Sequence, residues 1–88
     1  MTRREKQLAR MRANPKQVRF RRLARILEDA GFEMRRSRRG TSHCVFFHDA
    51  LDQVVVLVSH GQNDLLPEYQ VRRALAALDR LSALEAEE

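Results

Sequence analysis

Two stretches of the chain repeat apolar residues at helical spacing, and the segment between them is built from short apolar runs broken by turn residues. Phe20, Leu23, Ala24, Leu27 and Ala30 form one stripe and predict a core-facing helix over residues 18–30. Gly31 stands where such a helix ends in a left-handed cap. Val71, Ala74, Leu75, Leu78 and Leu81 form the second stripe. Pro67 suits the first turn of that helix and Glu68 the positive end of its dipole, so a helix to about residue 82 is expected, with an acidic, fraying end over residues 83–88. Residues 2–13 carry only a thin stripe of Leu8, Ala9 and Met11 before Asn14-Pro15, which predicts a basic arm or a short helix.

Between the stripes, residues 32–36 suit a strand, Arg38-Arg39-Gly40 a turn, and residues 42–48 a second strand, together a hairpin. After the turn Asp49-Ala50-Leu51-Asp52, the run Val54-Val55-Val56-Leu57-Val58 is apolar without a break. That run is expected to be the centre of the sheet or a contact surface. Residues 59–66 read as a polar loop. The order is an optional basic arm (1–13), then α-β-β-β-α over residues 14–82. Two amphipathic helices must bury their stripes on one face of a three-stranded antiparallel sheet. This α+β arrangement is that of a double-stranded-RNA-binding-like fold.

Charge changes the picture. Residues 1–40 hold fourteen of the seventeen Lys and Arg against four carboxylates, while residues 41–88 hold three against eight. Fifteen of the cations are Arg, whose planar fork grips a phosphate through two hydrogen bonds and stacks on bases. A polyanionic partner is expected, with a merely solvated basic surface as the alternative. The lone Cys44 excludes an internal disulfide, and no apolar stretch approaches the roughly 20 residues that span a membrane. A cytoplasmic location is expected, with one domain and no separate cofactor domain.

The residues also carry a resemblance. Asn14-Pro15-Lys16, Val18-Arg19-Phe20 leading to Leu23 and Leu27, and Ala30-Gly31-Phe32-Glu33 come first. Arg39-Gly40-Thr41-Ser42-His43 with Phe46 and His48, then Ser59-His60-Gly61, then Pro67-Glu68-Tyr69-Gln70-Val71-Arg72 follow in order. Together they resemble the HicA family of toxins, the mRNA interferases of bacterial type II toxin-antitoxin pairs. The resemblance implies an RNA substrate, no cofactor, no metal and a HicB-type antitoxin as partner. It also implies that His43 is the catalytic residue.

Chemistry agrees with that assignment. An imidazole, titrating near about 6.5, can take the proton of a ribose 2′-hydroxyl or return one to the leaving 5′-oxygen, typically contributing about 10² to 10⁴ in rate. Arg35, Arg36, Arg38 and Arg39, with Gly40 and Ser42, are the candidates to hold RNA phosphate beside it. His60 is a secondary candidate, with a turn-stabilising role the more ordinary expectation. His48 lies an odd number of residues from His43, so the two face opposite ways on a strand, and His48 is expected to be structural or solvated. The same parity turns Cys44 inward as a small hydrophobe and disfavours both a metal site and a Cys-His couple. Many family members have His where this chain has Cys44, and a polar residue where it has Phe47. Phe47 shares a face with His43 and Val45, where it can stack on a base or seat an antitoxin, or else it belongs to the core. The alternative to an endoribonuclease is a non-catalytic RNA-binding module of the same fold.

Overall fold

The computed structural model describes residues 2–36, 43–58, 61 and 63–87. Its elements are α1 (Arg3–Ala13), α2 (Phe20–Asp29), β1 (Glu33–Arg36), β2 (His43–Phe47), β3 (Val55–Val58) and α3 (Glu68–Ala86). The strands form one antiparallel sheet in the order β1-β2-β3. From α2 to α3 this is the α-β-β-β-α double-stranded-RNA-binding-like fold.

The two apolar stripes explain where the core sits. Phe20, Leu23, Ala24, Ile26 and Leu27 of α2, and Val71, Ala74, Leu75, Leu78 and Leu81 of α3, are all buried. They close over Cys44, Phe46, Val55 and Leu57, which point inward from the sheet. Period two on the strands and period 3.6 on the helices thus converge on one apolar layer. Among the described residues, no helix packs on the other face of the sheet.

Gly31 ends α2 in a Schellman motif: the Phe32 N–H donates to the Leu27 carbonyl at 3.0 Å and the Gly31 N–H to the Glu28 carbonyl at 3.0 Å. Gly31 has φ +100°, and a Cβ there would lie 3.1 Å from Nε2 of His48. His48 packs edge-on against the buried Phe32, with ring centroids 5.3 Å apart, and its Nδ1 accepts the Ala50 N–H at 3.0 Å. Of the two expectations for it, structural or solvated, these contacts make it structural.

Two features differ from the reading of the sequence, and one settles an alternative it left open. The run Val54–Val58 does not make the centre of the sheet; β2 does, and β3 is an edge strand with Val56 40% exposed and Val54, just before it, 53% exposed. Its apolar outer side is therefore uncovered in the free chain, which leaves the contact-surface reading standing. Of the two alternatives for the N-terminal segment, arm or short helix, Arg3–Ala13 form the helix. Thr2 caps it by accepting the Glu5 N–H, Met11 is buried, Leu8 packs against the core, and Arg12 pairs with Asp79 of α3. Finally, α3 continues to Ala86 instead of ending near residue 82.

Asp64, Leu65 and Leu66, just before α3, are tied to the start of α2. The Phe20 N–H donates to the Asp64 carbonyl at 2.9 Å and the Leu66 N–H to the Val18 carbonyl at 2.8 Å. Arg19 and Leu65 form an antiparallel bridge there, and pairing in place of helical turns starts α2 at Phe20 instead of residue 18.

Candidate functional site

Strand register decides which side chains share a surface with His43. Residues directly opposite across a ladder point to the same side of the sheet, and β2 alternates exposed, buried, half-buried, buried, half-buried from His43 to Phe47. His43, Val45 and Phe47 therefore face away from the helices. Glu33 is opposite Phe47 and Arg35 opposite Val45 on β1, and Val58 and Val56 are opposite His43 and Val45 on β3. Among the described strand residues, the outer face so defined holds the imidazole of His43, the guanidinium of Arg35, the carboxylate of Glu33 and a strip of apolar side chains.

His43 is exposed at the start of β2, and its ring has no hydrogen-bond partner among the described residues. Arg35 lies over the Phe47 ring, its guanidinium carbon 5.1 Å from the centroid. That diagonal cross-strand contact fixes the guanidinium on the same face as His43 and keeps Phe47 out of the core. Arg36 is opposite Cys44, so its Cβ starts on the other side of the sheet. The adjacent arginines Arg35 and Arg36 thus diverge, and only Arg35 shares the surface of His43. Arg38, Arg39, Gly40, Ser42 and His60 lie outside the described residues.

Beside His43, the end of β3 meets the start of α3. The buried Gln70 accepts the Val58 N–H at 3.0 Å through Oε1 and donates through Nε2 to the Tyr69 hydroxyl at 3.1 Å. Val58 is the cross-strand partner of His43, so this amide ties the strand carrying the neighbour of the imidazole to a rigid helix. An open cleft of about 430 Å³, lined by Val58, Asp64, Leu65, Pro67, Tyr69 and Gln70, lies at this junction. Tyr69 is 57% exposed, with the Arg73 guanidinium carbon 5.7 Å from its ring centroid. The sequence pattern did not mark Tyr69 and Gln70 as sites. A signal existed for Tyr69, since it falls out of phase with the stripe begun by Val71.

Among the described residues, no group of three or more His, Cys, Asp or Glu is placed to hold a metal, and no helix is long and apolar enough to cross a membrane. The family model for the HicA toxin of bacterial toxin-antitoxin systems matches residues 20–79, about two-thirds of the chain. The chain belongs to the HicA toxin family. No curated protein and no solved structure matches it. As a HicA-family member it is the toxin component of a toxin-antitoxin system, and an antitoxin is its partner. The HicA match takes in α2, the whole sheet and the start of α3, and thus His43, Arg35 and the Tyr69 cleft. Helix α1 lies outside it.

Proposed function

We propose that this HicA-family toxin is a metal-independent endoribonuclease, an mRNA interferase, in which His43 is the general acid or base. The observation that carries the reading is the exposed imidazole on the uncovered face of the sheet, with Arg35 held on the same face by Phe47. RNA supplies its own nucleophile, the 2′-hydroxyl next to the scissile phosphate. Cleavage therefore needs a proton acceptor for that hydroxyl, a proton donor for the departing 5′-oxygen and cations for the charge growing on phosphorus. The 2′-oxygen forms a bond to phosphorus as the bond to the 5′-oxygen breaks, leaving a 2′,3′-cyclic phosphate and a 5′-hydroxyl. His43 carries one of the two proton transfers. Arg35 is the described cation nearest to that role, and Arg38 and Arg39, with Gly40 and Ser42, are the proposed phosphate ligands from the turn before β2. His60 and Phe47 are secondary contacts.

A HicB-type antitoxin inhibits by covering the outer face. Support comes from the exposed Val56 on the edge strand and Val54 just before it, alongside Val45 and Phe47: apolar surface that a free chain leaves wet and a partner removes from water. The competing reading is a non-catalytic RNA-binding module, favoured by the His43 ring having no orienting partner among the described residues. Growth on inducing the gene without its antitoxin separates them. Arrest by the native chain, relieved by His43→Ala with the protein still folded, supports the nuclease. Arrest that persists in the folded His43→Ala variant removes His43 from the mechanism.

A further inference from the structure

Away from the outer face of the sheet, α1 and α2 enclose a trough that the proposed cleavage chemistry does not use. Two adjoining hollows of about 530 and 280 Å³ share Gln7 and Arg22 and run between the helices. Their walls carry Arg3, Arg10, Arg19, Arg21, Arg22 and Arg25. The one acidic residue lining them is Asp29, and it is already engaged by Arg25 at 3.2 Å. Arg3, Arg10, Arg21 and Arg22 have no ion-pair partner among the described residues.

Two of the six serve the fold, since Arg19 donates to the Asn63 carbonyl and Arg25 pairs with Asp29, but Arg21 and Arg22 do not. Arg21 and Arg22 occupy the first turn of α2, against the positive end of its dipole, and that turn contains no acidic residue and no side-chain cap. Arg25 follows at i+4 and i+3, spacings at which like charges repel along a helix. Asp79 is paired to Arg12 and Glu68 to Arg72, so neither carboxylate serves the trough. An arrangement that opposes local helix electrostatics and also lines a concave channel is matched by a row of external anions.

We infer that the α1–α2 trough is a second RNA-binding site, which grips the phosphate backbone of the substrate away from the scissile bond. This rests on the RNA substrate proposed above. Arginine in place of lysine favours phosphate gripped by paired hydrogen bonds, and an elongated channel fits a strand better than a single ion. The wall that α1 supplies, with Arg3 and Arg10, lies outside the family match, whereas Arg21, Arg22 and Arg25 of α2 lie within it. The trough supplies affinity and contributes nothing to the chemical step.

The test uses the full chain carrying His43→Gln, so that RNA is bound without the proposed cleavage, and a fluorescein-labelled oligouridine as probe. Arg22→Gln with Arg25→Gln, and separately Arg3→Gln with Arg10→Gln, should weaken binding several-fold. Each pair should flatten the dependence of log K on log salt by about 0.7 for every phosphate no longer neutralised. Arg22→Glu should weaken binding further while leaving the melting temperature equal or higher, which separates a weakened grip on RNA from an unfolded domain. In the His43-intact chain the same variants should raise KM and leave kcat unchanged. If both pairs keep native affinity and salt slope, the trough is not an RNA site, and cleavage by the His43-intact chain would then leave the nuclease reading untouched. If they keep RNA affinity but no longer bind the antitoxin, the trough is a protein interface and the inference is overturned. Loss of binding in trough variants of a chain that never cleaves RNA would sustain the trough and sink the nuclease.

Discussion

Gln70→Leu probes the joint between β3 and α3 beside His43. The substitution keeps roughly the volume of the side chain and removes the oxygen that accepts the Val58 N–H at 3.0 Å. It also removes the amide that donates to the Tyr69 hydroxyl at 3.1 Å. Leaving a buried donor unpaired costs about 1–3 kcal/mol, whereas one that reaches water costs little. Val58 is half-buried and Gln70 only 2% exposed, so the N–H is largely cut off. Burying leucine in place of an amide offsets part of the loss, and a net destabilisation of about 1.5 kcal/mol follows, or roughly 6–12 °C in melting temperature for a domain of this size. Urea denaturation in the His43→Ala background, which removes the proposed toxicity, measures it. Hydrogen exchange at Val58 should accelerate more than at Leu57. A change below about 0.5 kcal/mol, the range of ordinary surface substitutions, would mean that water already serves Val58 and that the Gln70 link does not hold the strand.

Gly31→Ala should cost about 1–2 kcal/mol because the residue has φ +100° and a new Cβ would meet His48 at 3.1 Å. Part of that loss should disappear in a His48→Ala background, as a double-mutant cycle of urea midpoints would reveal. Met11→Ala should destabilise the docking of α1 by about 2 kcal/mol, since Met11 is buried, while Arg12→Ala at the exposed pair with Asp79 should cost under about 1 kcal/mol. Amide exchange across Arg3–Ala13 reads both. Val56→Lys on the exposed side of β3 should change stability by less than about 0.5 kcal/mol yet abolish co-purification with the antitoxin. Intact co-purification would move the antitoxin off this face.

How much of this was legible in the sequence varied with the kind of signal. The helices and the cap at Gly31 were readable because Phe20 to Leu27 and Val71 to Leu81 each keep one buried stripe, and few residues other than glycine adopt a positive φ at low cost. Parity alone divided β2 into Cys44 and Phe46 on one face and His43, Val45 and Phe47 on the other, but left open whether Phe47 joins the core; burial turns Cys44 and Phe46 inward. The place of β3 did not follow from its pattern, because a strand apolar on both sides looks the same whether a neighbouring strand, a helix or another protein covers it. Arg35 and Arg36 were inseparable until the register set one beside Val45 and the other beside Cys44. The docking of α1 hung on Met11 and Leu8, too few apolar residues to distinguish a packed helix from a solvated one. Gln70 carried no mark of its role, since a polar residue in an apolar phase reads as an interruption until its partner, the Val58 N–H, is seen.

The central claim is that His43 cleaves RNA without a metal. Its most direct test is cleavage of a defined single-stranded RNA in the presence of chelator by the native chain and by His43→Ala, both shown to be folded by circular dichroism. The account predicts scission by the native chain, with 2′,3′-cyclic phosphate ends, and a loss of about 10²-fold or more in the variant. Equal cleavage by the two chains, or RNA bound and left intact by both, would contradict it.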